Sequence, residues 1–148
     1  MVKQVILLDK TIKRLIAYYT KKFNTRNPFE LADCLGILYQ TGDIGCDGCY
    51  VFLKNHRYIF LNETLNEHER LMVMAHELAH AILHRKQNCY FIRNNTLLLN
   101  SKLEIEANTF AAHLLISDND LAEYQEYTIE QIAGIFGYPP ELVQLRVK

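Results

Sequence analysis

The chain has 148 residues, 49% hydrophobic and 22% charged, with a formal net charge of −1. That length suits one domain with a core of its own, and the near-neutral charge removes the electrostatic case for direct nucleic-acid or anionic-membrane binding. No run approaches the ~18 apolar residues of a transmembrane helix, and the apolar part of the opening MVKQVILLDK is too short for a signal peptide; together with four cysteines this points to a reducing, cytoplasmic compartment.

In chain order, residues 10–22 place Ile12, Leu15, Ile16 and Tyr19 at helical spacing, with lysines on the outer side. Asn27-Pro28 reads as an N-cap followed by proline at the first helical position, opening a short helix through Asp33 that Gly36 stops. Ile37-Leu38-Tyr39 reads as a strand. Tyr50–Leu53 and Tyr58–Leu61, separated by Lys54-Asn55-His56-Arg57, read as a hairpin. A long helix is expected from about Asn66 to His84, then a loop with some strand over 86–100, then a second long helix from about Ser101 to Ile116. Shorter helices follow near 118–124 and 128–136. Thr128-Ile129-Glu130-Gln131 forms a capping-box pattern for the latter, Gly137 ends it, and Pro139-Pro140 starts a last helix. The expectation is an α+β fold, mostly helical, with a small sheet or hairpin packed on the first long helix. Residues 1–148 make a single domain, with the helical tail 118–148 packed on it as a partner-recognition element.

The first long helix carries His76-Glu77-Leu78-Ala79-His80, an HExxH motif. Residues four apart on a helix are offset by about 40° and roughly 6 Å, so both imidazoles project from one face and can grip one zinc ion at ~2.0–2.1 Å. Glu77 is turned about 100° from His76, placed to take a proton from water and not to ligate the metal. Two neutral nitrogens, a third protein ligand and a neighbouring carboxylate base make a zinc hydrolase.

The third ligand must come from elsewhere. A metzincin would place histidine six residues after His80, past a glycine; position 86 is Lys86 and no glycine precedes it in that stretch. His84 is four residues on, but about 12 Å from His76 along a straight helix, which fits a buried or supporting histidine near the helix end and not a ligand. Glu104 is the better choice. Positions 104, 107, 108 and 111 share a face of the second long helix, and Ala107, Asn108 and Ala111 are small enough to let it approach the first. Asn108 can then accept the free ring N–H of a liganding histidine. Ser101-Lys102-Leu103-Glu104 also fits a capping box, and Glu106, about 160° round the helix, is the alternative ligand.

HELAHAILH followed by EIEANTFAAHLL resembles the ImmA/IrrE-type metallopeptidases, most closely over residues 70–115 and more loosely toward both ends; Ala79 stands where the family usually has glycine. The resemblance implies a gluzincin-like zinc metalloendopeptidase with His76, His80 and Glu104 as zinc ligands and Glu77 as catalytic base. It further implies the short type found on phages and mobile elements, an anti-repressor that cleaves a helix-turn-helix transcriptional repressor. The alternative is a non-catalytic anti-repressor that sequesters the repressor around a structural zinc. An intact Glu77 favours the enzyme, because a structural site has no use for a base there.

Other features are discounted at this level. Cys46-Asp47-Gly48-Cys49 is a lone CxxC, explained by an Asp-Gly turn at the mouth of the hairpin. The tail TIEQIAGIFGYPPELVQLR resembles half a helix-turn-helix but lacks outward basic residues. His113 lies on the face of its helix opposite Glu104.

Overall fold

The computed structural model describes residues 2–91 and 101–147. Helix α1 spans Val2–Phe23, α2 Pro28–Leu35, α3 Glu67–Leu83, α4 Lys102–Leu115, α5 Asp118–Glu123, α6 Ile129–Phe136 and α7 Pro140–Val147. Strands β1 (Leu38–Gly42), β2 (Gly48–Leu53), β3 (His56–Asn62) and β4 (Cys89–Phe91) form one sheet in the order β1-β3-β2-β4. The architecture is α+β and mostly helical, as the sequence implies. Residues 92–100, read as part of the 86–100 loop, lie outside the described residues.

Local chemistry sets most of the boundaries. The Asn27 side chain accepts from the backbone N–H groups of Phe29 and Glu30, and Pro28 occupies the first turn, where its missing N–H costs nothing. Gly36 and Gly137 close α2 and α6 in left-handed conformations, φ 71° and 78°, where a Cβ would be strained. Asn66 and Glu69 form a reciprocal capping box that starts α3, and His84 ends it. Thr128 and Gln131 do the same for α6.

Three details differ from the sequence expectation. Helix α1 begins at Val2, eight residues before the expected 10–22. Ile37 is a buried residue of the turn and not part of the strand: its N–H reaches back to Ala32 O, and β1 begins at Leu38. The hairpin loop has two residues, because His56 and Arg57 join β3; Lys54 and Asn55 both have positive φ, 49° and 63°, which matches the turn whose twist suits a two-residue hairpin. β1 pairs parallel with β3, Leu38 opposite Tyr58.

One face of the sheet is buried. Tyr50, Ile59 and Leu61 point from β2 and β3 toward α3 and are fully covered. On its other side α3 packs against α4, which in turn packs on α1 and α7. Helix α3 is therefore central, and its residues from Val73 to Ala81 are buried without a break. Ala75, Ala79 and Ala81 on α3, with Ala107, Ala111 and Ala112 on α4, allow the two helix axes to come close.

Candidate metal centre

His76 and His80 sit one turn apart in the buried middle of α3, and Glu104 sits in the first turn of α4. Their ring Nε2 atoms are 3.1 Å apart. The Glu104 carboxylate straddles them, with Oε2 3.0 Å from His76 Nε2 and Oε1 3.1 Å from His80 Nε2. These separations approach the ~3.3 Å edge expected between ligands of a tetrahedral ion with 2.0–2.1 Å bonds. Among the described residues this is the one group of histidine, cysteine and carboxylate side chains arranged to hold a metal ion.

The surrounding hydrogen bonds fix what these atoms present. His76 Nδ1 lies 2.7 Å from Asn108 Oδ1, an acceptor, so the ring proton sits on Nδ1 and Nε2 carries a lone pair. His80 Nδ1 lies 2.9 Å from His84 Nδ1, and His84 Nε2 lies 2.9 Å from Glu106 Oε2. The Glu106 carboxylate accepts from His84 Nε2–H. His84 Nδ1 then accepts from His80 Nδ1–H, and His80 Nε2 is also left as a lone pair. Two nitrogen lone pairs and a carboxylate thus face one another, and Glu104 Oε2 has no hydrogen-bond donor although His76 Nε2 is close. Such a cluster repels itself unless a cation lies within it, and neutral imidazoles with one carboxylate are the donor set of a zinc site.

The protonation states agree with that arrangement. Burial would raise the Glu104 carboxyl, and only protons on the facing imidazole nitrogens would outweigh burial and draw it down to about 2; with both Nε2 atoms bare, a cation has to stand where those protons would. Burial pushes His80 below the usual histidine range, against the pull of Glu104, and pushes His84 down against the pull of Glu106. Downward shifts at His80 and His84 favour neutral rings, the form in which His80 can ligate a metal.

Glu77 is 0 % exposed, and neither of its carboxylate oxygens has a hydrogen-bond partner. Burial first, and the Glu104 charge second, raise its pKa well above the ordinary carboxyl value. It is seated against β2 at Gly48: a Cβ there would stand 2.5 Å from Val73 Cγ1 and 3.5 Å from Glu77 Cγ. Only a residue without a side chain lets the sheet close over this part of α3.

The structure brings together His76, Glu77, His80, Glu104 and Asn108, and puts His84 behind His80 and outside the converging atoms. Ser101 does accept from Glu104 N, at 3.3 Å, so the backbone of Glu104 serves the cap while its side chain turns to the histidines. Glu106 is not a member of the converging set, yet it does not point away from α3, as its angular offset suggested; it reaches the end of that helix through His84. The sequence reading discounted the CxxC cysteines and gave Gly48 no role beyond an Asp-Gly turn. The Glu77 charge helps to raise the thiols of Cys46 and Cys49, after burial, the latter to about 11. The CxxC pattern marked them, but nothing in it located them beside Glu77. Thiols so hard to ionise are poor nucleophiles.

A buried HExxH helix joined by a carboxylate from the following helix, over a small mixed sheet, is the construction of a metallopeptidase. The chain belongs to the peptidase family described as the IrrE N-terminal-like domain, whose model matches residues 32–148. It is 39% identical over 144 residues to a Bacillus phage phi105 protein titled uncharacterized immunity region protein 2, covering 95% of this chain and 89% of that one. It is 33% identical over 141 residues to the metallopeptidase ImmA of Bacillus subtilis (strain 168), covering 90% of this chain and 82% of the relative. No described helix is long and apolar enough to cross a membrane.

Proposed function

We propose that this chain is a zinc endopeptidase that cuts a helix-turn-helix repressor and so relieves repression of a phage or mobile element. His76, His80 and Glu104 hold the ion, Glu77 is the base, and Asn108 and His84 fix the ligand rings. The observation that carries the reading is the meeting of two imidazole lone pairs and an unpartnered carboxylate oxygen beside a buried, unpartnered glutamate. The immunity-region and ImmA names of the relatives support a target within the control of a mobile element. The tail 118–148, part of the same domain, is the element assigned to recognise that partner.

A bound zinc would polarise the scissile carbonyl and make water more acidic. The remaining work falls to the chain. Glu77, lifted by burial, is a stronger base than a solvated carboxylate. One of its oxygens takes a proton as the water oxygen bonds to the carbonyl carbon, and the same proton goes to the amide nitrogen as the C–N bond breaks. Asn108 and the His84–Glu106 pair keep protons on the Nδ1 atoms of His76 and His80, so that both Nε2 atoms stay available.

The test mixes a helix-turn-helix repressor, sought among the genes neighbouring this one, with wild-type protein and with Glu77→Gln. The variant keeps one zinc and still binds, but cleavage falls by about 10²–10⁴-fold, the usual contribution of a general base. His76→Ala, His80→Ala and Glu104→Ala each lose stoichiometric zinc in metal analysis. Relief of repression by Glu77→Gln equal to wild type would show that the repressor is sequestered and not cut.

A further inference from the structure

A second polar cavity lies at the far end of α4, unconnected with the chemistry above. It measures about 110 Å³ and is bounded by Lys13 of α1, Arg26 of the loop before α2, His113 of α4, and Asp118 and Arg146 of α5 and α7. His113 is nine residues beyond Glu104, roughly 13 Å along the helix at 1.5 Å per residue.

The cavity has an excess of positive charge and of unused donors. Three cations and one carboxylate line it, and that carboxylate, Asp118, is paired with Arg146 Nη2 at its exposed rim. Asp120 does not line the cavity; its carboxylate accepts from Ser117 N in the α5 cap but keeps its charge and partly offsets Arg26. The two guanidiniums otherwise bond only neutral carbonyls: Arg26 those of His113 and Leu114, Arg146 that of Ile116. Those bonds hold the groups in place without discharging them. Their Nη1 amino groups have no partner among the described residues, and Lys13 is exposed at the opening. Most telling, His113 is 4 % exposed and its Nε2 has no hydrogen-bond partner among the described residues. A buried ring nitrogen left unpaired is costly and marks a place where a ligand atom is missing.

We propose that this cavity binds a phosphate group, with Arg26, Arg146 and Lys13 supplying charge and His113 Nε2 the inner hydrogen bond. Guanidinium forks suit a tetrahedral oxyanion, and the lining has a net excess of two positive charges (three cations less Asp118), one when Asp120 beside Arg26 is counted, which suits a phosphate mono- or dianion. The volume admits such an anion with a water or two, given about 30 Å³ per water. The local potential is already evident on His113, whose pKa is lowered to about 4 by burial and then by Arg146, Lys13 and Arg26, with Asp118 opposing.

The test titrates inorganic phosphate, glycerol phosphate and acetate, at matched ionic strength in chloride, into the zinc-loaded full chain carrying ¹⁵N-labelled histidine. The His113 ring signals should shift and saturate with phosphate, and its pKa should rise. Thermal midpoint should climb by about 4–5 °C at a tenfold excess over Kd. An equal response to glycerol phosphate assigns the ligand to phosphomonoesters, and a weaker one to free phosphate. Lys13→Glu, at the rim, removes repulsion among the cations, so its midpoint without phosphate should not fall, while phosphate binding should weaken at least about tenfold. His113→Phe, which fills the cavity, should abolish the response. The proposal fails if only the His76 and His80 signals move, since phosphate would then be reaching the zinc alone. It fails equally if acetate and chloride match phosphate, or if Lys13→Glu responds like wild type.

Discussion

His84 shows how a residue outside the proposed ligand set governs one within it. It stands between the Glu106 carboxylate and His80 Nδ1, so the charge on Glu106 fixes which nitrogen of His80 is bare. His84→Ala and Glu106→Gln should therefore keep one zinc but bind it about 10–100-fold more weakly, the usual effect of losing such a supporting partner. Chelator competition measures this, and nitrogen chemical shifts of His80 in the zinc-free protein should show a loss of the Nδ1–H form. His113 offers a different prediction. Its folded pKa is about 4, against about 6.5 for an unfolded chain. Between those values the unfolded chain binds a proton that the fold does not, so stability falls as pH drops from about 6.5 to about 4 and is indifferent to this group above that window. In chloride buffer, His113→Gln should flatten that part of the curve of melting temperature against pH; an unchanged curve would mean that His113 titrates alike in the folded and unfolded chain. Of the residues at the candidate centre, Glu104 was legible in sequence because small neighbours share its face. Glu106 was not, because its role depends on where α4 crosses the end of α3, and a helical wheel carries no crossing point.

Among the elements, α3 and β2 set each other's limits. Gly48 is the point at which the sheet admits the helix, and its missing Cβ is replaced by Val73 Cγ1 and the Glu77 stem. Gly48→Ala overpacks this contact and should cost about 1–3 kcal/mol, read by denaturant melts. Paired with Val73→Ala the cost should be clearly less than the sum of the two single changes; strict additivity would mean that the two side chains do not compete for space. The cleavage rate of Gly48→Ala should fall as well, because Glu77 is displaced with the helix. The ends of α3, α2 and α6 could be read in advance, since Asn66 with Glu69, Asn27 with Pro28 and Gly36, and Thr128 with Gln131 act within one turn of chain. The parallel pairing of β1 with β3, and the position of Cys46 and Cys49 beside Glu77, could not. Both join segments whose contact is decided by packing of the sheet on α3, not by any local signal.

For the whole molecule, the cluster of lone pairs has a thermodynamic sign. Without a cation, burying Glu104 beside two bare nitrogens and near a second glutamate opposes folding; with one, the same atoms favour it. Removing metal with a chelator should lower the melting midpoint, and restoring zinc should recover it in proportion to occupancy. Glu104→Gln should melt at the same temperature with and without zinc, provided that it no longer retains the ion. An unchanged midpoint on stripping wild-type protein would mean that the ion contributes nothing to the fold. The geometry would also make an ion bound as proposed a tether. His80 and Glu104 lie 24 positions apart in the chain, so an ion held by both closes a loop much as a covalent staple would. The tether is reversible and answers to the supply of metal, so the same occupancy that arms the peptidase also decides how firmly α4, and the α1 and α7 helices resting on it, are fastened to α3.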